Sequence, residues 1–210
     1  MRSFKKLHKK LSYLNKKQIG KIHKAFLFAA QAHASQVRIS GESYITHPLA
    51  VATILADMHM DTETIIAALL HDVIEDTPHE KKVILQKFGK TVAALVDAVT
   101  KLTKIHFSTA AEAQAESFRK MIMAMAQDIR VILIKLADRT HNILTIESLP
   151  SYKRHRIAKE TLDIYAPIAN RLGMHDMYIE LSNLAFATLY PIRYQVISNT
   201  LKRARGNRKG

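Results

Sequence analysis

An all-helical bundle is the fold class this sequence predicts, and three observations carry the prediction. Apolar residues recur at three- and four-residue spacing through most of the 210 residues, and no segment competes with the alternation of a half-buried strand. Only 6 Gly and 5 Pro punctuate the chain, so turns are few. Hydrophobic residues make up 48% of it, enough for one domain with a sizeable core.

Residues 1–20 read as a basic lead-in. From Ile19 to His33 the positions Ile22, Ala25, Phe26, Ala29 and Ala30 form a helical stripe, and Arg38-Ile39-Ser40-Gly41-Glu42 reads as a loop. The next helix starts at His47-Pro48, where proline's missing donor has no intrahelical partner to lose. Asp61 is a natural N-cap for the following helix, with Glu63 in its first turn and Ile65, Ile66, Leu69, Leu70 and Val73 as its buried stripe. That helix is expected to carry His71 and Asp72 near its end and to stop at Thr77-Pro78, since the residue before proline is pushed out of the helical region.

Helical periodicity returns over Lys81 to Phe88, Thr91 to Leu102, Glu112 to Met125 and Ile129 to Leu136, with a lapse from Thr103 to Ala111 that reads as a loop. Two long patterns close the chain. One runs from Ser151 to Leu172 and ends at Gly173; the other runs from about His175 to Leu189, is interrupted at Pro191 and resumes to Leu201.

The net charge of +14 comes from 32 basic and 18 acidic residues and is concentrated at the ends. Residues 1–21 carry eight Lys/Arg and residues 202–210 carry five, with no acid in either stretch. Those thirteen charges leave the body of the chain almost neutral, so the ends read as solvated arms and do not by themselves argue for nucleic-acid binding. The absence of cysteine excludes disulfides, thiolate ligands and a Cys nucleophile, and fits a reducing cytoplasm. The apolar run Ala25 to Ala30 is too short for a signal peptide, and no stretch approaches membrane-spanning length.

The chemistry gathers in AALLHDVIEDT. His71-Asp72 and Glu75-Asp76 put four metal-binding or proton-handling side chains into six residues of an apolar stretch, and a divalent cation is the simplest way to hold clustered acids together near neutral pH. On one helix, 71 with 75 and 72 with 76 would share faces, with side chains about 5–6 Å apart. His47 and Asp138 offer further ligands from separate segments. Two imidazoles and two carboxylates suit Mn²⁺, Fe²⁺ or Zn²⁺ better than Mg²⁺ or Ca²⁺, so the residues point to a metal-dependent hydrolase.

Arg38-x-Ser40-Gly41-Glu42 with Tyr44 and His47-Pro48, His71-Asp72-x-x-Glu75-Asp76-Thr77, Lys135-Leu136-Ala137-Asp138-Arg139-x-His141-Asn142 and Tyr165-Ala166-Pro167-x-Ala169-x-Arg171-Leu172-Gly173 together resemble the hydrolase domain of RelA/SpoT-type alarmone enzymes. The resemblance runs from about residue 20 to the end. It implies an all-α HD-domain bundle over 20–190, and hydrolysis of guanosine tetra- and pentaphosphate, (p)ppGpp, at the 3′ position to GDP or GTP and pyrophosphate, in control of the stringent response. It also implies one Mn²⁺, or another divalent transition metal, held by His47, His71, Asp72 and Asp138. Glu75 and Asp76 would orient or activate the attacking water, and Arg38, Ser40, Asn142 and Thr145 would contact the substrate.

Ile39 stands where many relatives have a polar or basic residue, and Ser43 replaces a usual proline, which frees the loop from a fixed φ. Residues 191–210 resemble the start of the connector toward a synthetase domain. The expectation is therefore a piece of a bifunctional enzyme, with its own synthetase domain as a partner, or a stand-alone small hydrolase. Two alternatives stay open: an HD phosphohydrolase of another nucleotide, and a nucleotide-sensing or RNA-docking module without turnover.

Overall fold

A computed structural model describes residues 4–103, 119, 123 and 127–206. The described residues are helical, and their β-type pairing is a single bridge between Val37 and Ser43. None of their helices is long and apolar enough to cross a membrane. The chain divides into two compact units, 1–141 and 142–210, a division that falls inside the span 20–190 read from the sequence as one domain.

In the first unit, α1 (Phe4–Lys10) corrects the expectation of a solvated arm. Phe4, Leu7 and Leu11 lie at helical spacing and are buried, so the segment docks against α3 while its lysines face outward. α2 (Lys16–Ala32) opens with a capping box: the Asn15 side chain accepts from the Gln18 N–H at 3.0 Å, and Gln18 Oε1 accepts from the Asn15 N–H at 2.9 Å. α3 (Thr46–Asp57) begins one residue before His47.

α4 (Thr62–Leu70) is the central helix. Every residue in it except Glu63 is buried, because α2, α3 and α7 pack around it. Asp61 caps it as expected, accepting from the Thr64 N–H at 2.7 Å. The helix does not run on through Asp76. It ends at Leu70, and a separate turn, α5 (Val73–Asp76), follows. His71 Nδ1–H donates to the Ala68 carbonyl at 2.8 Å, the acceptor that the Asp72 N–H would use if the helix continued.

α6 (Lys81–Phe88) matches its expected bounds, and α7 (Lys90–Thr103) is slightly longer than its own. The remainder of the expected 103–111 loop and the expected helix over Glu112 to Met125 lie outside the described residues, apart from positions 119 and 123. α8 (Arg130–Leu144) is longer than its apolar run and crosses the division between units. Its start is clipped to the cap of α4, since Arg130 Nη1 donates to Asp61 Oδ2 at 3.0 Å.

In the second unit, α9 (Ser151–Glu160) runs through a π-turn at Thr161–Tyr165 into α10 (Ala166–Arg171). Pro167 is the cause: it has no N–H for the Asp163 carbonyl and its ring would crowd that oxygen, so the ladder widens and the Ala166 N–H reaches Thr161 O. Gly173, at φ +74°, closes this run as the sequence predicts, and α11 (His175–Leu189) and α12 (Pro191–Gly206) follow.

Candidate functional site

The buried end of α4, the start of α3 and the middle of α8 bring His47, His71 and Asp138 together, each with one ligand-type atom within 4.8 Å of the others. His71 is placed deep because it terminates the core helix. Its Nδ1 is occupied as a donor to Ala68, and its Nε2 is buried and without a hydrogen-bond partner. That nitrogen lies 3.1 Å from Asp72 Oδ1 and 3.9 Å from Asp138 Oδ1.

His47 presents Nε2 to the same carboxylates, at 3.2 Å from Asp138 Oδ1 and 3.7 Å from Asp72 Oδ2. Its Nδ1 is 2.8 Å from His141 Nδ1, and Arg38 Nη1 makes a longer contact of 3.4 Å with the same His141 nitrogen. Arginine can only donate, so His141 Nδ1 accepts and His47 Nδ1–H donates to it, while His47 Nε2 faces the Asp138 carboxylate. Burial, reinforced by His47 and Arg38, pushes His141 down to about 4, keeping it neutral in that role.

Asp138 divides its oxygens. Lys135, one turn earlier on α8, donates to Oδ2 at 2.7 Å, while Oδ1 faces the imidazoles. Burial opposes ionisation, but the Lys135 ammonium and the two histidines outweigh it and hold the Asp138 carboxyl well below the usual carboxylate range. Asp72 sits between α4 and α5 at φ −92°, ψ −7°, the sparsely populated bridge region that often holds active-site residues.

The expected pairing of 71 with 75 on one helix is lost at the break after Leu70. The 72/76 pairing survives, because the Asp76 N–H donates to Asp72 O at 2.8 Å. Glu75 and Asp76 lie on α5 with exposed side chains. The Tyr44 hydroxyl stands between two carboxylates, 2.8 Å from Asp72 Oδ2 and 2.7 Å from Asp76 Oδ2. Burial and those two acids push the Tyr44 phenol far up, so it remains a donor.

Arg38 and Ser40 sit on the loop before α3, whose turn closes when the Gly41 N–H donates to Arg38 O at 2.9 Å with Gly41 at φ +84°. Asn142 follows His141 on α8 and Thr145 follows the end of that helix, and both belong to the second unit. The sequence leaves Lys135, Arg139 and His141 between a structural role, pairing with carboxylates or fixing the turn around Asp138, and substrate contact, and gives Tyr44 no separate role; the Lys135 pairing with Asp138 is the structural one. The available signal was the three-residue offset of Lys135 and His141 on either side of Asp138, which places all three near one helix face.

The donor set fits a divalent metal: a buried imidazole nitrogen with no hydrogen-bond partner, a second imidazole facing the same carboxylate, and nearby carboxylate oxygens. A family model described as the HD domain matches residues 25–175. Over 198 residues the chain is 61% identical to the bifunctional (p)ppGpp synthase/hydrolase SpoT of Escherichia coli K12, covering 94% of this chain and 28% of that protein. It is 56% identical over 197 residues to the guanosine-3′,5′-bis(diphosphate) 3′-pyrophosphohydrolase of Vibrio cholerae, again covering 94% of this chain and 28% of the relative. The chain thus spans little more than a quarter of these proteins. A solved structure described as a metazoan ortholog of SpoT that hydrolyses ppGpp aligns with a TM-score of 0.53 at 25% identity, over 89% of this chain and 96% of its own.

Proposed function

We propose, from the premise that this chain belongs to the HD-domain family, that it is a metal-dependent 3′-pyrophosphohydrolase of ppGpp and pppGpp acting in the stringent response. The observation that carries the reading is the pair of imidazole Nε2 atoms, on His47 and His71, turned toward the carboxylates of Asp72 and Asp138. The E. coli and V. cholerae relatives support it, and so does the metazoan protein, whose solved chain this one nearly covers.

His47, His71, Asp72 and Asp138 would hold one divalent ion, with Mn²⁺ the first choice for a mixed nitrogen and oxygen shell. Bound there, the ion would lower the pKa of a water and offset charge developing on phosphoryl oxygens. Lys135 keeps Asp138 ionised and one of its oxygens engaged, leaving the other for the ion. Asp76 takes the proton of the attacking water, with Glu75 beside it orienting that water. The bond that breaks joins phosphorus to the 3′ oxygen, releasing pyrophosphate and GDP or GTP. Arg38 and Ser40 meet the nucleotide from the loop before α3, and Asn142 and Thr145 hold its guanosine part. In a longer protein the natural partner is a synthetase domain of the same chain.

The test is incubation of metal-stripped protein with ppGpp, with and without Mn²⁺, while nucleotide and pyrophosphate are followed by ion-exchange chromatography. Mn²⁺-dependent GDP and pyrophosphate is the expected result. Nucleotide binding without turnover would replace the reading by a sensing module, and turnover of other nucleotides in preference to ppGpp would replace the substrate.

A further inference from the structure

The proposed general base stands on weak local structure. α5 is a single turn of four residues, too short to repay the cost of helix nucleation, and Asp76 is its last, exposed residue. Something outside the turn must hold its carboxylate at a fixed offset from the metal-binding end of Asp72.

Two ties reach it from the segment before α3. Gln36 Nε2 donates to the backbone carbonyl of Asp76 at 2.6 Å, and the Tyr44 hydroxyl meets the Asp76 side chain. Both tying residues are themselves held. Gln36 Oε1 accepts from the buried His33 at 2.7 Å, and the Tyr44 N–H donates to Gln36 O at 3.1 Å. The His33 ring stacks on the Tyr44 ring, with centroids 4.6 Å apart and planes 25° apart, while the His47 ring meets Tyr44 edge-on at 6.3 Å. A phenol packed in this way has little freedom except rotation of its O–H.

We propose that Tyr44 is a positioning residue for the hydrolysis, its hydroxyl fixing the Asp76 carboxylate beside Asp72 so that the base faces the attacking water. The inference rests on the reading of Asp76 as that base. Hydrogen-bond accounting shows why the bridge acts on turnover rather than on substrate binding. The phenol has one proton and two acid neighbours, so it satisfies one carboxylate while both are ionised. When Asp76 takes the proton of water it becomes a donor to the Tyr44 oxygen, and the Tyr44 proton turns to Asp72. The array is complete only after proton transfer has begun, which is a preference for the transition state over the ground state. Gln36, which grips only the backbone of Asp76, supplies placement without this response.

The experiment is Tyr44→Phe, which keeps the ring stacked on His33 and removes one oxygen. For ppGpp hydrolysis with Mn²⁺ we expect kcat to fall about 10- to 100-fold, in the range of a displaced general base, with KM held within about twofold. The Mn²⁺ dissociation constant, measured by titration of metal-free protein, should stay within about threefold, because the phenol is not a ligand. In the double variant with Asp76→Asn, loss of the phenol should cost nothing beyond the single Asp76 change, since Tyr44 acts through that carboxylate. Equal kcat in Tyr44→Phe and wild type, or additive losses in the double variant, overturns the proposal. A large loss of Mn²⁺ affinity would make Tyr44 a support for Asp72 instead and likewise overturns it. Hydrogen exchange of metal-free protein separates this from failure of the functional reading. Amides of 73–77 should exchange faster in Tyr44→Phe whether or not the wild type turns over ppGpp, and unchanged exchange refutes the tie.

Discussion

Helical patterns that read as continuous in the sequence are interrupted at two places, and the two interruptions have different origins. After Leu70 the helix stops where the sequence offers neither glycine nor proline, and there the His71 imidazole donates to the Ala68 carbonyl. At Thr161–Tyr165 the ladder only widens, and Pro167 explains it from covalent structure alone. The proline break satisfies the chain's own geometry. The histidine break does more, since the bond made there orients the ring and leaves Nε2 without a hydrogen-bond partner among carboxylates. A break without a local breaker is therefore the better pointer to chemistry.

The largest effect belongs to the cluster around the histidine break. Asp138→Ala removes an oxygen facing both imidazoles and leaves the buried Lys135 ammonium without its carboxylate. Metal content and turnover should disappear together, read by metal analysis of the purified variant beside the ppGpp assay. A variant that keeps one ion per chain would remove Asp138 from the ligand set. Glu75→Gln comes next. It lies on the turn after the break and is not a proposed ligand, so metal should be retained while kcat falls about 10²- to 10³-fold, as for loss of a group that helps transfer the proton. Loss of metal in that variant would extend the shell into α5.

A smaller effect concerns pH. His141 supports His47 from behind, and burial holds it neutral down to about 4. The unfolded chain binds a proton at this residue near its ordinary value of about 6.5 while the folded chain does not. Its contribution to stability is therefore complete above that value and lost as pH falls through the window down to about 4. Thermal unfolding of metal-free protein should show Tm decreasing across this window. In His141→Asn, whose side-chain oxygen can still accept from His47, the decrease should be shallower; an identical slope would assign it to other groups.

The difference between the regions also explains what the sequence made legible. The stripe in α2, the Asp61 cap, the bounds of α6 and α11 and the Gly173 stop all follow from periodicity and capping, which are local, and each appears as read. His47, His71 and Asp138 were legible as candidates because each is costly in its apolar surroundings, and the fold brings them together. The docking of α1 was missed because its lysines dominate the composition while only Phe4, Leu7 and Leu11 carry the packing. The specific contacts of Tyr44 and His141 were not legible, for another reason. Their roles depend on atoms 28 and 94 positions away in the chain, Asp72 for one and His47 for the other, and no local pattern encodes such pairs.

The smallest expected effect is at the proline break. Pro167→Ala restores an N–H that could reach the Asp163 carbonyl and removes the ring that crowds it, so the π-turn should relax toward a regular ladder. Healing the turn gains a hydrogen bond but also loosens the unfolded chain, terms of opposite sign and about 1 kcal/mol each, so net stability should move by less than either. Metal content should not change, because no proposed ligand lies on this run. A large loss of metal retention in Pro167→Ala would mean that the widened turn serves the metal cluster after all, and that a break with a local cause can carry as much chemistry as one without.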